Sequence, residues 1–107
     1  MEAMNINEAQ FQSMTREGKL MLVDYWAPWC SYCRRIGPAY EKIAQHYGDK
    51  MVVAKVNIDQ EGSLAQAERI EVIPTLVLYR DGTAIASIVA PESKAMIDSF
   101  IAEALAN

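Results

Sequence analysis

The only two cysteines of this chain, Cys30 and Cys33, stand where one hydrophobic pattern gives way to another. Ahead of them, Leu20-Met21-Leu22-Val23 opens a near-continuous apolar run that reaches Ala27. Such a run suits a strand covered on both faces. Behind them, Ile36, Tyr40, Ile43, Ala44 and Tyr47 recur at three- and four-residue steps and so share one helical face. The cysteines therefore end a strand and begin a helix, predicted from Cys30 to Tyr47 with Gly48 as its stop. If Cys30 opens that helix, Cys33 lies one turn later on the same side, and the two sulfurs can meet. Cys30 would then face the unpaired N–H groups of the first turn, where the helix dipole favours a thiolate.

That arrangement points to thiol–disulfide exchange, in which one thiolate attacks a foreign disulfide and its neighbour resolves the mixed disulfide. Half of a zinc site has the same Cys-x-x-Cys spacing. Here no second cysteine pair exists and His46 is the only histidine, so the usual four ligands are not available and no metal is expected. An inert structural bridge is the other alternative. It is disfavoured because so short a loop constrains little of the unfolded chain.

The rest of the chain reads as one domain over residues 1–107, with 51% hydrophobic residues to build a single core. A net charge of −4 argues against nucleic acid or an anionic membrane as the main partner. No apolar run approaches membrane-spanning length. The first residues show no basic segment followed by an apolar one, so no secretory signal is expected. A cysteine pair in such a chain fits a reducing cytoplasm, where these pairs are usually catalytic.

Asn5 to Glu17 is predicted as a first helix after a short strand, with Asn7 as N-cap, Phe11 and Met14 facing inward, and Gly18 at the end. Asp24 interrupts the first long apolar strand, and Lys55 interrupts the second, Met51 to Ile58. A carboxylate in such a strand is costly unless it is paired or titrates upward, and the two opposite charges invite pairing. Asp24 reaching water at the strand end and Lys55 facing outward are the bland alternatives. A short helix follows at Gly62 to Arg69. Thr75 to Arg80 and Thr83 to Val89 read as strands joined across Asp81-Gly82, a strong hairpin signal. Glu92 to Ala106 closes the chain as an amphipathic helix, with Met96, Ile97, Phe100, Ile101, Ala104 and Leu105 on its apolar side. Pro38 falls inside the second helix, where it removes a backbone bond and predicts a kink. His46 sits in that helix's last turn, an ordinary place for a cation. Alternating strands and helices followed by a hairpin predict an α/β fold with a mixed sheet and helices on both faces.

Val23-Asp24-Tyr25-Trp26-Ala27-Pro28-Trp29-Cys30-x-x-Cys33 resembles the active-site segment of the thioredoxin family. Val53 to Asp59, Ile73-Pro74-Thr75-Leu76 and Asp81-Gly82 resemble its later segments in order and spacing. The resemblance runs from about Leu20 to the C-terminus. It implies a thioredoxin fold, with a central five-stranded mixed sheet, four flanking helices and the hairpin at one edge. It implies a protein-disulfide reductase with Cys30 as attacking thiolate and Cys33 as resolving thiol. Asp24, with Lys55, would handle the Cys33 proton. A cis bond before Pro74 would sit beside the disulfide. The Ile73 backbone and Pro74 would form a substrate ledge, and Trp29 would shield one side. No bound cofactor is implied; the partners would be disulfide-bearing proteins and a flavin-containing thioredoxin reductase, with the chain a monomer.

Four residues depart from the family pattern. Ser31-Tyr32 replaces Gly-Pro between the cysteines, which bears on redox potential and leaves a more oxidising, oxidase- or isomerase-like member as the alternative. Tyr32 brings a phenol that could donate near the sulfur. Ala90 stands where a glycine borders the substrate groove, and Val72 where a small residue is common; both bear on which partners fit. A non-catalytic interaction module built on the same fold is the remaining alternative, against which the intact cysteine pair argues.

Overall fold

The computed structural model describes residues 2–106. Its elements are β1 (Met4–Asn5), α1 (Glu8–Arg16), β2 (Met21–Trp26), α2 (Ser31–Tyr47), β3 (Val52–Asn57), α3 (Gly62–Ala67), β4 (Thr75–Arg80), β5 (Thr83–Val89) and α4 (Lys94–Leu105). The strands form one mixed sheet in the order β1-β3-β2-β4-β5. β2 lies at its centre, parallel to β3 and antiparallel to β4.

Strand alternation divides the core. Leu22, Val53, Leu76 and Leu78 pack with Ile36, Tyr40 and Ile43 of α2 and Ile97 and Ile101 of α4. Met21, Val23, Tyr25, Val56 and Val77 pack with Phe11 of α1 and Leu64 of α3. Asp24 has the parity of Leu22, so it points toward α2, and it pairs in register with Lys55 and Leu76. This places a carboxyl under the helix that carries both cysteines.

The local signals account for the element ends. Asn7 accepts from the Gln10 N–H at 2.8 Å while Gln10 reaches back to the Asn7 N–H at 2.8 Å, a complete capping box. α1 starts later than its polar pattern suggests because Met4 and Asn5 are taken by pairing with Ala54 and Lys55 of β3. The hairpin has positive φ at both Asp81 (53°) and Gly82 (79°), as its two-residue turn requires. Gly82 is needed for space as well, since a Cβ there would lie 3.0 Å from the Thr15 carbonyl oxygen.

Gly48 caps α2 after Tyr47 as expected, in right-handed backbone (φ −63°). Three expectations are corrected. α3 stops at Ala67, with Arg69 left-handed at φ 60°. α4 begins at Lys94, because Ser93 is its cap and accepts from the Met96 N–H at 3.2 Å. Met96 is 42% exposed rather than on the buried face, and its sulfur accepts from the Glu92 N–H at 3.4 Å.

Candidate active site

The loop between β2 and α2 is fixed by short-range bonds. The Cys30 N–H donates to the Ala27 carbonyl at 3.1 Å, and the Arg34 guanidinium donates to the Pro28 carbonyl at 2.7 Å. Cys30 is the N-cap of α2, and its sulfur accepts from the Cys33 N–H at 3.1 Å. A sulfur thus satisfies one of the donors that every helix start leaves open. Cys30 and Cys33 are joined as a disulfide with Cα atoms 5.2 Å apart. The contrast between an open Cys30 and a covered Cys33 is narrower than the sequence suggests, at 8% and 4% exposed. Trp26, Tyr32, Ile58 and Ile73 pack around the pair.

Two segments distant in sequence complete the surroundings. The Ile73–Pro74 peptide is cis, and the Ile73 carbonyl oxygen lies 4.0 Å from the Cys30 sulfur. Trp29 is 66% exposed beside the disulfide, its indole N–H donating to Asp59 at 3.1 Å. Asp59 was not singled out from the sequence; its place at the end of the Asn57-Ile58-Asp59 run, level with the strand end, was the available signal. Val72 is exposed next to Ile73.

Asp24 is 2% exposed, and one of its carboxyl oxygens has no hydrogen-bond partner. Burial raises its pKa to about 7, and the positive charge of Lys55 opposes that rise. Lys55 does not bond to the carboxylate oxygen left open; its ammonium sits 4.3 Å from the centre of the Trp26 ring. The pairing inferred from the two interrupted strands is therefore one of register and field. Tyr40, buried against the same carboxyl, donates to the Leu22 and Ala54 carbonyls at 3.2 and 2.6 Å. Burial, together with the Asp24 charge, holds that phenol well above its ordinary pKa.

Tyr32 corrects another expectation. Its hydroxyl does not donate to the sulfurs. It bonds the carbonyls of Ala90 and Pro91, each at 3.2 Å. The Arg35 guanidinium lies 5.7 Å from the Tyr32 ring centre. Ser31 is exposed as the first residue of α2. His46 stacks on Tyr47 at 4.6 Å, in the last turn of α2 and so at the opposite end from the cysteines.

A family model described as Thioredoxin matches residues 2–103. The chain belongs to the thioredoxin family. It is 33% identical over 102 residues to a thioredoxin of Alicyclobacillus acidocaldarius, covering 95% of this chain and 97% of that one. It is 40% identical over 85 residues to thioredoxin 1 of Synechococcus elongatus, covering 78% and 79%. A solved Plasmodium falciparum thioredoxin superposes with a TM-score of 0.85 at 29% identity, covering 94% of this chain and 98% of that one. The family match begins at residue 2, well ahead of Leu20, where the resemblance read from the sequence begins. Thioredoxin-family membership and the Cys30–Cys33 disulfide together support a thiol–disulfide oxidoreductase. Among the described residues, no helix is long and apolar enough to cross a membrane.

Proposed function

We propose that this thioredoxin-family protein reduces protein disulfides, with Cys30 as attacking sulfur and Cys33 as resolving sulfur. The observation that carries the reading is the position of the Cys30 sulfur as the cap of α2, accepting the Cys33 N–H at 3.1 Å. A donor aimed at that sulfur stabilises negative charge on it once the disulfide is reduced.

In the first step the Cys30 thiolate bonds to one sulfur of the substrate disulfide. The substrate S–S bond breaks, and the departing thiolate takes a proton from solvent. Cys33 then gives its proton to Asp24 and attacks the Cys30 sulfur. The Cys30–substrate bond breaks, the Cys30–Cys33 disulfide forms, and the second substrate thiolate is protonated. Two electrons have passed to the substrate. A carboxyl with a pKa of about 7 is populated in both forms at neutral pH, which suits it to accept that proton and return it. Lys55 tunes it by its field. Exposed Trp29 and the half-buried Ile73, with its carbonyl, form a wall backed by the buried Pro74, against which an extended substrate segment adds as a strand. Regeneration needs an external two-electron donor, for which a flavin-containing thioredoxin reductase is the proposed partner. The protein acts as a monomer in a reducing compartment such as the cytoplasm.

Ser31-Tyr32 favours a couple more oxidising than that of a typical thioredoxin. With the Tyr32 phenol turned to Ala90 and Pro91, the contribution falls to the backbone. Tyr32 keeps a first-turn N–H that a proline would remove, and a further donor near the thiolate stabilises the reduced form. A change of about 30 mV corresponds to roughly 1.4 kcal/mol, the scale of one hydrogen bond to a charged group. Titration against a glutathione or dithiothreitol buffer series tests both points. The Cys30–Cys33 couple titrates reversibly, and replacing Ser31-Tyr32 with Gly-Pro lowers its potential by some tens of millivolts. An unchanged or higher potential in that variant removes Ser31-Tyr32 from redox tuning.

A further inference from the structure

Ala90 joins the three segments that surround the disulfide. Its N–H donates to the Pro74 carbonyl at 2.9 Å, tying it to the loop beside Cys30. Its own carbonyl, with that of Pro91, accepts the Tyr32 hydroxyl at 3.2 Å, tying it to the first turn of α2. Ala90 holds this position in left-handed backbone, φ 47°, which a residue with a Cβ adopts at a cost. That conformation aims two successive carbonyls at a single phenol. The phenol is in turn backed by the Arg35 guanidinium at 5.7 Å from the ring centre. The next residue, Glu92, is held by its N–H to the Met96 sulfur at 3.4 Å, so the segment is anchored on the α4 side as well.

We propose that Tyr32 is a specificity-determining residue: it clasps the 90–91 segment and presets one wall of the site for extended polypeptide disulfides. The proposal rests on the reductase reading above. A long substrate segment touches the wall on both sides of its half-cystine, so it gains when that wall is already ordered. A small disulfide reaches only the sulfur and gains nothing from the wall. The clasp therefore acts on discrimination between substrates rather than on the exchange chemistry.

Tyr32→Phe keeps the ring and its contact with Arg35 and removes only the two hydroxyl bonds. Initial rates are measured for wild type and variant with insulin and with dithionitrobenzoate, a small aromatic disulfide, and amide exchange is followed at Ala90. The expected result is a roughly five-fold fall in kcat/KM for insulin relative to dithionitrobenzoate, the equivalent of one ordinary hydrogen bond. The change lies mainly in KM, with faster exchange of the Ala90 amide. A ratio that stays constant overturns the proposal, whether both rates hold or both fall together as a general structural loss would make them. If wild type reduces neither substrate, the reductase reading itself fails and the proposal falls with it; this outcome is distinct because it appears without any substitution.

Discussion

Asp24→Asn stabilises the fold by about 2–4 kcal/mol at pH 8 and slows disulfide turnover by about a hundred-fold. The stability gain follows from the raised carboxyl pKa. Below about pH 4 both folded and unfolded chains hold the proton on Asp24. Between its ordinary value of 3.8 and its folded value of about 7, only the folded state does. Stability present at low pH is therefore lost as pH rises through that window, by about 1.4 kcal/mol per unit, and levels off above it. Asparagine carries no charge to desolvate, so the variant shows no loss from this site and overtakes wild type at neutral and alkaline pH. Its buried amide still needs partners, which trims the gain. Lys55 and Tyr40 are the groups that face this site, and neither supplies the oxygen that stays open. The kinetic loss has a separate origin, the missing proton acceptor for Cys33. Urea denaturation between pH 5 and 9, run beside turnover assays, checks both. A variant that is less stable and equally fast would make Asp24 an ordinary polar residue.

Cys33→Ser leaves a protein that attacks once and then stops. Cys30 still forms the mixed disulfide, but no second thiol displaces the substrate, so a covalent adduct accumulates and turnover drops to background. Cys30→Ser forms no adduct, because Cys33 is the more covered sulfur and sits one turn inside the helix. Mass spectrometry after incubation with a protein disulfide reads the adducts directly. Trapping through Cys33 in the Cys30→Ser variant, in place of trapping through Cys30, would reverse the two roles.

What the sequence revealed and what it concealed follow from the range of the interactions. The β4–β5 hairpin was legible to the residue, because Asp81-Gly82 supplies the two positive φ angles and the flanking strands are β-rich. The Asn7 cap was legible from a local side-chain bond, whereas the interrupted apolar run left Asp24 either buried or at a wet strand end, and only the family resemblance favoured burial. Lys55 was half legible. Its register beside Asp24 could be inferred, but the nearby Trp26 face draws the ammonium away from direct contact with the open carboxyl oxygen. Tyr32 was not legible. Its partners lie 58 and 59 residues away, and nothing local says whether a phenol in the first turn of a helix turns toward sulfur, solvent or a distant loop. Ala90 was visible as a departure from the family's glycine, yet its left-handed backbone, which preserves the glycine-like path, shows only in three dimensions. Met96 was misplaced because periodicity assigns a face without showing where the covering layer ends.

The most direct test of the central claim is the reduction of insulin by this protein with dithiothreitol as the electron source. The account predicts catalytic acceleration over dithiothreitol alone, eliminated by Cys30→Ser. A rate equal to that of dithiothreitol alone, from a folded wild-type protein, would contradict it and leave a thioredoxin fold that binds partners without exchanging disulfides.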